Sequence, residues 1–235
     1  MRTLTQRGFS LVELAIVLVI VGLLIGGLLT PLATQFEQRR ISETQRLLEE
    51  TREALVGFAL RNGYLPCPAV SAQNGLEDRS GGYCTGGKRQ GFIPWATLGV
   101  QRADGWGRML RYSVTPAFSN SQLLFNLGTP RDITIGTRDA SGNLVAATGI
   151  GDIPAVVMSH GRNGYGGFSE LGVPVGAEIA GNADERANAG PAGIAFVSRT
   201  PSDASAPGGE FDDLVVWVSP NILYSRMVAG GVLPR

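Results

Sequence analysis

The sequence is poor in the residues that metal and nucleophile chemistry draw on, with one histidine, His160, and two cysteines, Cys67 and Cys84. A zinc-type centre wants four such ligands, so these residues cannot build one. Charge of one sign is not in excess either. The 20 basic residues are matched by 20 acidic ones, which removes bulk electrostatics as a reason to expect nucleic acid. A basic and aromatic stripe, a nucleophile elbow and a phosphate loop are all missing. The glycines of Asn163–Gly167 have neither the strand-loop-helix setting nor the lysine that phosphate binding needs. Ser159 and His160 are adjacent, and neighbours on a strand point to opposite faces, so they do not read as a nucleophile–base pair. No catalytic residue is expected, and the protein is not read as an enzyme.

What is present is unevenly distributed. Glycine is abundant at 33 residues, mostly after residue 60, which implies turns and irregular loops there. The length of 235 residues suits one substantial domain plus an appendage. The cysteines lie in a segment rich in Gly, Pro and Ser, and in an oxidising compartment a Cys67–Cys84 disulfide is the natural reading. The alternative is two unpaired thiols. Closing that loop contributes roughly 3 kcal/mol on the chain-entropy account.

From Phe9 to Leu29 the chain reads FSLVELAIVLVIVGLLIGGLL, with Glu13 as its single charge. As a helix this run spans about 30 Å, the thickness of a bilayer core. The basic piece in front of it, with Arg2 and Arg7, keeps that end in the cytoplasm and sends the rest outside. Arg39 and Arg40 on the far side weaken that argument slightly. An ordinary secretory signal has its cleavage site behind the apolar run, and no such site stands beyond Leu29. Glu13 is costly inside a membrane, by about 2.5–3.5 kcal/mol at the centre, and such residues are usually functional unless they snorkel to the interface.

The run RGFSLVEL followed by a long apolar stretch closely resembles the processing site of type IV prepilins and type II secretion pseudopilins. The resemblance implies cleavage between Gly8 and Phe9 by a membrane prepilin peptidase, then methylation of the new amino group on Phe9. It implies that Glu13, the fifth residue of the mature chain, pairs with the charged amine of a neighbouring subunit. The implied partners are the prepilin peptidase, other pilin or pseudopilin subunits, an inner-membrane assembly platform and, before assembly, membrane lipid. The implied location is the inner membrane, single-pass with a periplasmic C-terminal domain, and then a pilus or pseudopilus filament.

Beyond Pro31 the pattern turns amphipathic. Phe36, Leu47, Leu48, Thr51, Leu55, Phe58 and Ala59 recur mostly at three- and four-residue steps, and Asn62-Gly63 is a helix stop. Pro31 is read as a kink within one helix of about 50 residues. After a loop over 64–91, strand character marks Met109–Val114, Ile133–Thr137, Ala155–Ser159, Ile194–Ser198 and Leu214–Val218. The segment 169–191 reads as a polar surface insertion, and Asn221–Ala229 as a closing helix. The fold class is therefore α+β and pilin-like: a long N-terminal helix, membrane-spanning in its first half, packed on an antiparallel sheet with loop insertions. The parts are a leader over 1–8, a filament-core helix over 9–30, its amphipathic continuation over 31–63 and a β-rich domain over 64–235.

Three further stretches are similar to pseudopilins. They are Asp104-Gly105-Trp106-Gly107 ahead of Tyr112, the loop Ser159–Gly167, and Phe211-Asp212-Asp213-Leu214 through Trp217. In the major pseudopilin the glycine loop and its following acids hold calcium. The resemblance carries that role to Asn163, Asp212 and Asp213, with loop carbonyls completing the six to eight oxygens. Here the acids are displaced by some 45 residues and Asn stands for Asp, so a turn held by side-chain hydrogen bonds beside a solvated acidic pair competes with it. No other cofactor is expected. The function implied is a minor structural subunit of a secretion pseudopilus or a surface pilus. The alternative is a pilus-associated module whose enlarged domain recognises cargo or a surface partner.

Overall fold

In the computed structural model of the protein, residues 10–177 and 181–234 are described, the side chains of residues 24–31 excepted. The dominant element is α1 (Leu11–Asn62), a helix of 52 residues that runs through position 31 without ending. It stops where the sequence says it should. Gly63 takes the left-handed conformation at φ 79°, and its N–H donates to the Ala59 carbonyl at 2.7 Å.

The chain forms two compact units, Met1–Ile41 and Ser42–Arg235. In the first, the apolar side chains from Leu11 to Leu23 are exposed, from 43% at Val21 to 87% at Leu11. Phe36, expected on the buried stripe, is exposed as well. Among the described residues no helix is long and apolar enough to cross a membrane. The expected span of 9–30 includes Phe9 and residues 24–30, which lie outside that description.

In the second unit the same helix behaves differently. Leu47, Leu48, Thr51, Leu55, Phe58 and Ala59 are all buried, and the Thr51 hydroxyl is satisfied by donating to the Leu47 carbonyl at 2.7 Å. The opposite side carries Arg46 paired with Glu50 and Arg52 with Glu49. Fully burying a Leu stabilises by about 1.5–3 kcal/mol, so this stripe holds the helix on its domain.

The strands are β1 (Arg79–Ser80), β2 (Tyr83–Cys84), β3 (Gln90–Phe92), β4 (Arg111–Val114), β5 (Thr134–Arg138) and β6 (Leu144–Ala146). They continue as β7 (Ala155–Ser159), β8 (Gly167–Phe168), β9 (Pro174–Val175), β10 (Ala195–Val197) and β11 (Leu214–Val218). Helices α2 (Trp95–Leu98), α3 (Ala183–Ala189) and α4 (Pro220–Ala229) complete the set. The main sheet is antiparallel in the order β11-β7-β4-β3. A second sheet, β10-β5-β6, mixes a parallel β10–β5 pair with an antiparallel β5–β6 pair, a departure from the purely antiparallel expectation.

Two cores follow from strand alternation. Leu48, Leu55 and Ala59 of α1 pack with Tyr112, Val114, Val157 and Val218 of the main sheet, and with Leu223 and Met227 of α4. Ile133, Ile135, Ile153, Val156, Met158 and Phe196 form the other. Val157 faces the first cluster while Val156 and Met158 face the second, so β7 is buried on both faces. That explains why AVVMS is an unbroken apolar run and not an alternating one. The loop after α1 is pinned by the Cys67–Cys84 disulfide, and the Tyr112 hydroxyl donates to the Pro66 carbonyl at 3.0 Å.

The segment 169–191 is only in part the surface insertion its polarity implies: residues 171–177 are mostly exposed, whereas the helix that follows is buried on one face. Its helix α3 buries Asp184, Glu185 and Asn188. A helix with only alanines for apolar residues cannot dock by hydrophobic area; it docks through hydrogen bonds instead. Asp184 accepts from Arg138 at 2.6 Å and Arg199 at 2.7 Å, and Asn188 exchanges bonds with the Val197 backbone at 2.7 and 3.0 Å.

Candidate functional site

Two places gather chemistry. The first is the start of α1. Ser10 stands at the N-cap, where its carbonyl accepts the Leu14 N–H at 3.1 Å. The Ser10 N–H donates to Glu13 Oε2 at 2.8 Å, and the Glu13 N–H donates to Ser10 Oγ at 3.2 Å. This is a capping box, which satisfies two donors that a helix N-terminus otherwise leaves orphaned. Its signal, Ser-x-x-Glu ahead of an apolar run, overlaps the processing motif in the sequence. Gly8 and Phe9 lie outside the described residues.

The second place is an acidic cluster at one end of the main sheet. β7 and β11 are antiparallel with Leu214 opposite Ser159, so the loop leaving β7 and the acids entering β11 lie side by side. The ligand atoms of Glu185, Asp212 and Asp213 all fall within 4.8 Å of one another. Gly161 makes this approach possible. It has φ 49°, and a Cβ there would stand 2.2 Å from the Asp212 carbonyl oxygen.

The hydrogen bonds divide the three acids. Glu185 Oε1 accepts the Asp212 N–H at 3.0 Å, and its two oxygens accept Asn163 Nδ2 at 2.9 and 3.0 Å. Asn182 Nδ2 also donates to Glu185 Oε2 at 2.8 Å. Asp212 Oδ2 accepts the Asn163 N–H at 2.8 Å, and Asp213 Oδ2 accepts Asn188 Nδ2 at 2.7 Å. Asp212 Oδ1 and Asp213 Oδ1 are buried and accept from no described residue. Burial pushes the Asp212 carboxyl up to about 7 against the Asn163 N–H bond, with the charges of Glu185, Asp213 and Glu210 adding to the rise. Burial likewise raises Glu185, helped by the charge of Asp213 and opposed by its amide donors. His160 lies against this cluster, 1% exposed, with both ring nitrogens lacking partners and Nδ1 3.6 Å from Asp213 Oδ1.

A hard cation fits this place, because two buried carboxylate oxygens lack partners and the negative charge is packed without a bonded counter-ion. The donor set differs from the expected one. Asp212 and Asp213 lie in the cluster, but Asn163 Oδ1 is taken by the Tyr165 N–H at 2.9 Å and its amide nitrogen faces Glu185. Asn163 therefore orients an acid and is not a ligand in this arrangement. Glu185 supplies the third carboxylate. It was missed because a Gly-flanked stretch of Asp, Glu and Asn looks the same whether its helical face is solvated or buried.

The third motif is structural. In the turn at Asp104–Gly107, Asp104 Oδ1 accepts the N–H groups of Trp106 and Arg108, both at 2.9 Å. Its Oδ2 accepts the Ser159 hydroxyl at 2.5 Å, while the Gly105 N–H donates to Thr44 Oγ1 of α1 at 3.0 Å. Ser159 thus serves the Asp104 turn, while the His160 ring lies against the acidic cluster.

A helix of this length packed on antiparallel sheet through its second part defines an α+β, pilin-like architecture. Residues 4–29 match the prokaryotic N-terminal methylation motif, the prepilin signature of type IV pilins and pseudopilins. The motif marks a substrate of prepilin peptidase and indicates a structural subunit. No curated protein and no solved structure matches the chain.

Proposed function

We propose that this chain is a structural subunit, minor in copy number, of a type II secretion pseudopilus or a type IV pilus. The observation that carries the reading is the methylation motif at residues 4–29, set directly on a helix whose apolar side chains from Leu11 to Leu23 are exposed among the described residues. The leader 1–8 is cut after Gly8, and the new amine on Phe9 is methylated. The segment 9–30 crosses the inner membrane with its N-terminus in the cytoplasm and the domain in the periplasm. Subunits then move sideways into a bundle whose core is these helices. Glu13 meets a neighbour's amine and sets the axial register, because an unpaired charge in such a core is strongly penalised. Glu13→Ala should leave processing intact and lower the share of mature protein recovered in sheared filaments. Normal incorporation of that variant would remove the assembly role.

The acidic cluster gives this reading a second part. Glu185, Asp212 and Asp213 hold a calcium ion, which supplies the positive charge that the two unpartnered oxygens lack. In the periplasm such an ion ties α3 to the start of β11. Calcium should raise the melting temperature of the native chain and have no effect on Asp213→Asn. Equal response of the two proteins would argue for hydrogen bonding alone.

A further inference from the structure

The sequence has three Asn-Gly pairs, beginning at Asn62, Asn74 and Asn163. In such a pair the glycine nitrogen, unhindered by a Cβ, can attack the carbon of the asparagine side-chain amide. A folded chain permits that attack only where the nitrogen is free, because a bonded N–H must first be released. The three pairs differ on this point. The Gly63 N–H donates to the Ala59 carbonyl at 2.7 Å, and the Asn62 amide donates to the Phe58 carbonyl at 2.9 Å. The Gly164 N–H donates to the His160 carbonyl at 3.0 Å, and the Asn163 amide donates to Glu185. At the third pair, the Gly75 N–H and the side-chain amide of the exposed Asn74 both donate to no described residue.

The electrophile at Asn74 is prepared as well. Its Oδ1 accepts the Leu76 N–H at 3.1 Å, closing a ring that includes the Gly75 nitrogen. The same N–H stabilises the oxyanion that forms on attack. Ser71 keeps the loop in this shape: its Oγ accepts the Asn74 N–H at 3.0 Å, and its own N–H donates to the Asn74 carbonyl at 3.1 Å.

We propose that Asn74 is a site of self-modification, at which the chain deamidates without an enzyme and independently of any filament role. The Gly75 nitrogen bonds to Asn74 Cγ and gives up its proton, the Cγ–Nδ2 bond breaks, and ammonia leaves. Water then opens the succinimide ring at either carbonyl, which yields aspartate or isoaspartate. Isoaspartate lengthens the backbone by one carbon, and this loop has no slack to take it. The Gly75 carbonyl accepts from Ala96 and Thr97 of α2 at 3.0 and 3.3 Å, and a Cβ on Gly75 would stand 2.2 Å from the Trp95 ring. The modification therefore adds a negative charge and loosens the loop from α2.

The test incubates the detergent-solubilised full chain at mildly alkaline pH in heavy-oxygen water, folded and, in parallel, reduced and denatured. Fragment-ion mass spectrometry then reads oxygen uptake residue by residue, which is needed because Asn62 and Asn74 share the tryptic peptide Asn62–Arg79. In the folded protein Asn74 should be modified at least about fivefold faster than Asn62 or Asn163, and denaturation should bring the three rates together. A folded-state rate at Asn74 no greater than at the other two would overturn the proposal. So would the same ranking in the denatured chain, where only local sequence acts. Amide exchange at Ala96 and Thr97 should be faster in the isoaspartyl protein than in Asn74→Asp, whose backbone length is unchanged; equal exchange would overturn the loosening.

Discussion

The two parts of α1 use the same residue types to opposite ends. Up to Leu23 its leucines, isoleucines and valines are exposed, while from Leu47 to Ala59 its leucines, Val56, Phe58 and Ala59 are buried in the domain. A single helix can therefore contain one stretch that stabilises the domain and one that contributes nothing to it until something outside the chain covers it. The difference lies in the spacing of polar residues. In the second stretch Arg46, Glu49, Glu50 and Arg52 define a wet side, leaving a stripe for the core. In the first, only Glu13 interrupts the run, and it is turned back to Ser10.

This contrast can be broken most sharply by truncation. Leu55→Ala should cost about 2–5 kcal/mol in unfolding of the detergent-solubilised chain, because the site is closed on all sides. Leu18→Ala should change the same measurement by less than about 0.5 kcal/mol. Equal effects would mean that the two stretches are not distinct.

The disulfide comes next. Cys67 and Cys84 close a loop of 17 residues beside the end of α1, and replacing both by Ser should destabilise the domain by about 3 kcal/mol. Chemical denaturation would read that loss, and cleavage at Gly8 should be unaffected. A smaller effect is expected from pH. Asp212 is raised from its usual 3.8 to about 7, so the folded state keeps a proton that the unfolded chain releases in that interval. Its contribution is full below about 4 and declines as pH climbs towards about 7, in the absence of divalent cations. Thermal melts across that window should show the decline, and Asp212→Asn should flatten it. Smallest is Thr44→Val, which removes the acceptor for the half-buried Gly105 N–H and should cost about 1 kcal/mol by equilibrium unfolding.

Much of this was legible before any coordinates. The helix stop at Asn62-Gly63 was legible because glycine alone takes φ 79° there without strain, and β7 and β11 because long β-branched runs stand between turn residues. The limit was reached where burial is polar. Asp184, Glu185 and Asn188 lie on one helical face, but a buried polar face has the same sequence pattern as a solvated one. Only the bonds from the Asp212 N–H and the Asn163 amide to Glu185 show that it completes the cluster at Asp212 and Asp213. Ser10 was hidden differently, since its signal overlapped a processing motif that already explained the residues around it.

On the proposed function α1 is uncovered at its start and then covered by other subunits, and processing is the first step. Intact mass of the protein recovered from membranes, with and without the prepilin peptidase, tests it most directly. Loss of residues 1–8 together with the gain of one methyl group, only where the peptidase is present, is the predicted result. An uncut chain in both would contradict it, leaving a membrane-anchored domain with no assembly role for Phe9 or Glu13.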